Sequence, residues 1–135
     1  MDGADTGHAT SRHMRALLMA CGAMNVVGTI CFLPPFLVAR RMVRLPDAPP
    51  FYLWVLAAWI LAFGAAYAHQ GWTGRLNRSV LALGAWGKAT FAVALVSTAI
   101  GRAAAPVAIV AAMPDAACAA AFGWWLWRSS REKPG

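Results

Sequence analysis

The chain has 135 residues, a formal net charge of +7, 60% hydrophobic residues and only 13% charged ones. That charged share is about half of what ordinary water-soluble domains carry, which points to lipid as the main solvent and excludes a conventional soluble enzyme. The basic residues stand at the ends of apolar runs, as juxtamembrane anchors do, so the positive charge is not the footprint of a nucleic-acid partner.

Residues 1–13 are polar, with Asp2, Asp5, His8, Arg12 and His13, and are predicted to form a disordered tail. A first spanning helix is predicted over about 14–36, broken by Pro34-Pro35. Its midpoint carries Asn25, with Gly22 and Gly28 three residues to either side and Cys21 and Thr29 one turn away. A polar residue on a small-residue face points at other helices. It is expected to form an interhelical hydrogen bond of about 1 kcal/mol, or to line a site with its amide. Residues 38–50 form a loop in which Arg40, Arg41 and Arg44 alternate with Met42, Val43 and Leu45, a pattern expected to lie along lipid headgroups. Pro46, Pro49 and Pro50 end it. The second helix, about 51–69, holds Trp54, Trp59, Tyr67 and His69, with Trp59 near mid-depth, where an indole N–H needs a partner. A polar loop with Trp72, Arg75 and Arg78 follows.

The third helix is predicted over 79–100, the turn at Gly101-Arg102, and the fourth helix over 103–127. Trp124, Trp125 and Trp127 near its end read as an aromatic interface belt, ahead of a basic tail at 128–135. The fold class is therefore all-α, a polytopic four-transmembrane-helix bundle over 14–127. Each half of the last hairpin contains one charge. Lys88 lies 13 residues before Gly101, and Asp115 lies 13 after Arg102. At about 1.5 Å per residue both sit roughly 20 Å from the turn, at one depth near the bilayer midplane. An isolated charge there costs at least about 2.5–3.5 kcal/mol, which pairing removes. Small neighbours allow close approach: Gly84 and Ala92 beside Lys88, Ala111 and Ala119 beside Asp115, and a ridge of Ala104, Ala108, Ala112, Ala116 and Ala120. Pro114 leaves the carbonyl of Val110 without its helical donor, an extra acceptor within the reach expected of Lys88. Asn25, Trp59, Lys88 and Asp115 are thus predicted to form one layer, one residue from each helix, with Thr29 beside it.

Basic residues near helix ends set the orientation. Arg12, Arg15, Arg75, Arg78, Arg128, Arg131 and Lys133 gather on the side of the termini, against Arg40, Arg41, Arg44 and Arg102 on the other. Both termini are expected in the cytoplasm. Arg outnumbers Lys ten to two, and Ala is abundant, which suggests a GC-rich bacterial genome and hence a bacterial inner membrane.

Much chemistry finds no support. Cys21, Cys31 and Cys118 lie inside apolar runs at no metal-ligand spacing, so they are expected to be buried small apolar residues and no metal site is predicted. Leu18-Met19-Ala20-Cys21 looks like a lipoprotein cleavage box, but the apolar stretch before it is too short for a signal-peptide core, and no cleavage is expected. Haem bound through two histidines would need more than His69. Asp115 is the only acid in the spans, so paired-carboxylate hydrolysis is not supported, and no nucleophile elbow, zincin or phosphate-binding motif occurs. No cofactor is predicted, and an enzyme is not the favoured reading.

Asn25, Gly28, Phe32 and Pro34, then Leu53-Trp54, Gly64 and Tyr67, then Gly84 and Gly87-Lys88, and finally Asp115 and Phe122, form an order of signals spread over most of the chain. It resembles small four-helix bacterial membrane proteins of the DoxX-like style. The resemblance implies a four-helix bundle with Lys88 and Asp115 as signature positions. Through the association of DoxX-type proteins with quinol-oxidase assemblies, it also implies an accessory role. Three functions follow as expectations. The first is a structural or accessory subunit, with membrane lipids and other membrane subunits or a second copy as partners. The second is a small dimeric transporter or proton-coupled carrier that switches the Lys88–Asp115 pair. The third is a lipid- or quinone-modifying membrane enzyme. A cavity that reaches Asp115, as opposed to a seal of alanines, discriminates between the first and the second.

Overall fold

The computed structural model describes residues 11–131. Every regular element in them is helical, and four helices are long and apolar enough to cross a membrane: α1 Arg12–Phe32, α3 Pro50–Thr73, α4 Arg78–Ile100 and α5 Val107–Arg131. A single 3-10 turn, Pro34–Phe36, and the short helix α2, Val38–Met42, fill the first loop. The predicted tail falls largely outside the described residues, but Arg12 and His13 already belong to α1, whose first turn is capped by the Ser11 hydroxyl accepting from the amide of Met14.

Several boundaries differ from the sequence reading, each for a local reason. The first span ends at Phe32, not Phe36, because Pro34 and Pro35 cannot donate to the carbonyls before them. The second continues past His69 to Thr73, where Gly74 takes the left-handed conformation at φ 72°. The Arg15 guanidinium then donates to the carbonyls of Gly71 and Trp72, both at 2.9 Å, closing that helix end. The fourth span starts at Val107, not Ala103, and runs on to Arg131. Arg102, at φ 60°, makes the left-handed turn, with the amides of Arg102 and Ala103 bonded back to Ala99 and Thr98. Pro106 then pre-sets the first turn of α5. Arg44, at φ 53°, ends α2 in the same way, with its amide on Arg41 and that of Leu45 on Arg40. The two turns are tied by the amide of Ala105 on the carbonyl of Val43, at 2.8 Å. An Arg stands at each of these positions, where the left-handed backbone ordinarily selects Gly.

The helices form two tightly packed pairs, α1 with α3 and α4 with α5, and contacts between the pairs are far fewer. In the first pair, Gly22 and Gly64 let the backbones touch: a Cβ on Gly64 would stand 2.8 Å from that of Asn25. In the second, Ala92, Leu95 and Ala99 mesh with Ala104, Ala108 and Ala112. The pairs meet in one core on the side of the termini, built from Met14, Leu18, Cys21, Tyr67, Leu81, Cys118 and Phe122. The alanine ridge is divided by this packing. Ala104, Ala108 and Ala112 are buried, whereas Ala116 and Ala120 are exposed. A spacing of four drifts by about 40° per step on a helix of 3.6 residues per turn, so the buried seam continues through Cys118 and Phe122.

Candidate functional site: a polar crossbar beneath an intramembrane cavity

Four polar groups, one from each spanning helix, are joined at mid-depth. The Asn25 side-chain amide donates to the carbonyl of Ile60 at 3.0 Å. Its oxygen accepts from Lys88 Nζ at 3.1 Å. Lys88 in turn pairs with Asp115 Oδ1 at 2.5 Å. Asn25 is held in place by its own helix and by α3. Thr29 donates to the Asn25 carbonyl at 2.8 Å, and Gly64 leaves room for the Asn25 side chain. Lys88 is a long chain ending in three donors, so one residue can satisfy groups on both helix pairs. This is the one polar connection between the pairs at this depth. In lipid it does what water does elsewhere, since no solvent is present to satisfy the groups it joins.

The structure thus brings Asn25, Lys88 and Asp115 together, with Thr29 behind them. Trp59 is not part of the chain of bonds. It is 64% exposed and lines the cavity described below, while its α3 neighbour Ile60 supplies the α3 group through its backbone. Nor does the Val110 carbonyl receive Lys88, whose hydrogen bonds go to Asn25 and Asp115 while Val110 faces outward. Helix α5 runs unbroken through Pro114. The equal spacing from the turn also needs amending. Lys88 lies 12 residues before Ile100, but Asp115 only 8 after Val107, because residues 101–106 are not helical. The segment bearing Ala104 packs against α4 and supplies the depth that a helix would have supplied.

Of the predicted anchors, Arg41 and Arg44 are exposed, but Arg40 is buried, donates to the Pro46 carbonyl and lies 6.0 Å from the Phe32 ring centroid. Trp124 and Trp127 are exposed with ring centroids 5.0 Å apart, and Trp125 is partly buried, 5.8 Å from the Arg78 guanidinium.

Tyr67 has a place that sequence reasoning missed. It is buried between the pairs, packs on Phe122 at 5.4 Å, and turns its ring to Lys88 Nζ at 5.9 Å. Gly84 makes this possible: a Cβ there would lie 2.1 Å from the Tyr67 hydroxyl. A glycine inside an apolar helix, one turn before a buried lysine, was the available signal.

Above the crossbar, on the side of the α1–α3 loop, the helix pairs part. Between them lies a half-open cavity of about 510 Å³ whose walls are almost wholly apolar. Phe63, Phe91 and Leu56 are among its wall residues, Arg40 and Val43 stand toward the loop, and Lys88, Asn25 and Asp115 form its polar floor. Asp115 keeps 20% of its side chain exposed, against 8% for Lys88, so the carboxylate is the more open partner. Gly87 also lines the cavity, and a Cβ there would meet nothing within 4 Å. The volume suits one small organic molecule, and the lining suits one that is mostly apolar with a hydrogen-bonding head. Among the described residues no three His, Cys, Asp or Glu side chains gather in a metal-binding group. No protein-family model, curated protein or solved structure matches the chain.

Proposed function

We propose that this protein is a small membrane carrier that takes a lipid-soluble amphipathic molecule into the cavity between its two helix pairs. The observation that carries the reading is the cavity itself: a mostly apolar chamber with the Lys88–Asp115 pair and Asn25 in its floor and Arg40 toward the loop. A ligand headgroup with an acceptor and a donor could take a Lys88 N–H and a free Asp115 oxygen. The pair would then loosen, and with it the polar link between the helix pairs at this depth. Two tightly packed helix pairs with sparse mutual contact suit rocking about a midplane site. Four helices give a narrow path, so a second copy is part of this proposal.

The test is ligand retention. Wild-type protein extracted in mild detergent is expected to carry a stoichiometric lipid-soluble molecule, detectable by native mass spectrometry. Gly87→Leu should fill the chamber from a wall where nothing stands in the way and reduce the bound fraction at least tenfold, with an unchanged helical spectrum. A bound species equally retained by Gly87→Leu would place the ligand elsewhere.

An accessory-subunit role is favoured by a different observation. The outer strip of Ala116 and Ala120 on α5 is exposed, and small residues there suit a partner helix. This reading also takes up the DoxX-like resemblance. A larger protein partner, in place of a small molecule, would then co-purify.

In either case we place both termini in the cytoplasm of a bacterial inner membrane, on the strength of the seven-to-four excess of basic residues on that side. A phosphatase fused to the C-terminus should be inactive, and a fluorescent protein fused there should fold and emit. The opposite pattern would reverse the orientation.

A further inference from the structure

On the terminal side of the crossbar, Cys21 of α1 and Cys118 of α5 meet with their sulfur atoms 2.7 Å apart. They are separated by 97 residues and belong to different helix pairs. Both are free thiols, 1% and 7% exposed, in the core that joins the pairs. Packing alone needs two small apolar groups here and gives no reason for two thiols in mutual contact. We propose that Cys21 and Cys118 are a reversible redox site, oxidised to a disulfide by a hydroperoxide, that fastens the two helix pairs together.

The burial selects the oxidant. No protein active site reaches a sulfur in this core, so exchange with a protein disulfide is excluded, whereas hydrogen peroxide is small, neutral and membrane-permeant. In the first step the sulfur of Cys118, the more exposed of the two, attacks one peroxide oxygen. The O–O bond breaks, one water leaves with the thiol proton, and Cys118 becomes a sulfenic acid. In the second step Cys21 attacks that sulfur, the S–O bond breaks, the S–S bond forms, and the hydroxyl leaves with the second thiol proton as another water. Two thiols and one peroxide thus give one disulfide and two waters. Burial slows the first step. The adjacent thiol makes the second fast, so the product is the disulfide and not the sulfinic acid. The bond would close a loop of nearly the whole bundle, across an interface where noncovalent contacts are few. It does not depend on what the cavity holds.

The experiment counts thiols. Protein in lipid nanodiscs is exposed to hydrogen peroxide, then denatured and labelled with a maleimide-polyethylene glycol, and each reactive cysteine adds one gel step. Reduced protein should show three adducts. Exposed protein should show one, from Cys31, and a phosphine should restore the other two. The intact mass should fall by two hydrogens. Cys21→Ser should lose one adduct only, that of Cys118, and gain oxygen mass there, because its sulfenic acid has lost the resolving thiol. Three adducts after exposure would overturn the proposal. So would a gain of oxygen mass in the wild type, or a loss of adducts in Cys21→Ser as large as in the wild type. Should Cys21→Ser fail to fold, the wild-type mass shift alone decides between a disulfide and separately oxidised sulfurs.

Discussion

Replacing Lys88 by Met should lower the unfolding free energy in mixed micelles by about 3 kcal/mol, the lower end of the cost of breaking a buried ion pair. The reason is what stays behind. Asp115 would be left in a mostly apolar chamber without its ion-pair partner, and Asn25 would lose the donor on its oxygen. A lost interhelical hydrogen bond alone averages only about 0.6 kcal/mol in membranes, so the stranded carboxylate dominates. The partial exposure of Asp115 to the cavity keeps the effect from the upper end of that range. Asp115→Leu should cost a similar amount, since it strands the lysine. The double variant Lys88→Met, Asp115→Leu should fall within about 1 kcal/mol of wild type, because removing both charges of a buried pair is often tolerated. The interaction energy from the cycle is then at least about 2 kcal/mol. Additive single effects would show that the two side chains do not act as a pair. If the proposed function holds, the double variant is also the informative one: stable, and unable to retain the ligand.

The existence of this pair was legible before any coordinates because lipid makes it so. A charge at the centre of a span must find a partner, and a short hairpin offers few. The four spans were legible for a similar reason, since every backbone group in hydrocarbon must bond within its own helix. What the sequence did not disclose are the features that depend on azimuth. Trp59 was placed at the right depth, yet its side chain is 64% exposed, because depth says nothing about which way a helix is turned. Tyr67 appeared to lie near a helix end, yet it fills the interface between the pairs, because α3 is one turn longer than its apolar run and Gly84 lies opposite. The start of α5 was visible in Pro106, a residue suited to a helix N-terminus, but the unbroken run of alanines from Ala103 to Ala105 concealed it. The meeting of Cys21 with Cys118 joins residues of different hairpins, and spacing along the chain carries no information of that kind.

The alanines of α5 should divide sharply when each is enlarged. Ala108 and Ala112 are almost completely buried against α4, where the two backbones come together over Ala92, Leu95 and Ala99. Leucine at either position adds three carbon atoms where there is no space. Overpacking of this kind costs about 1–3 kcal/mol and sometimes more. We expect the upper value, because the α4–α5 turn, tied at Ala105 to the first loop, restrains the helices from sliding apart. Ala116→Leu and Ala120→Leu should each stay within about 0.5 kcal/mol of wild type, since both side chains are exposed and lipid accommodates leucine as well as alanine. The measurement is unfolding of the four single variants in mixed micelles, paired with the size of the complex extracted from native membranes. A uniform effect across the four would mean that the ridge is a single packing surface and that the division into buried and exposed halves is wrong. A different split is the more instructive. If Ala116→Leu and Ala120→Leu leave the fold intact but shrink the native complex, the outer half of the ridge carries another helix. Its owner is then either a second copy, as the carrier proposal requires, or a larger assembly, as the accessory reading does, and the mass of the lost component tells which.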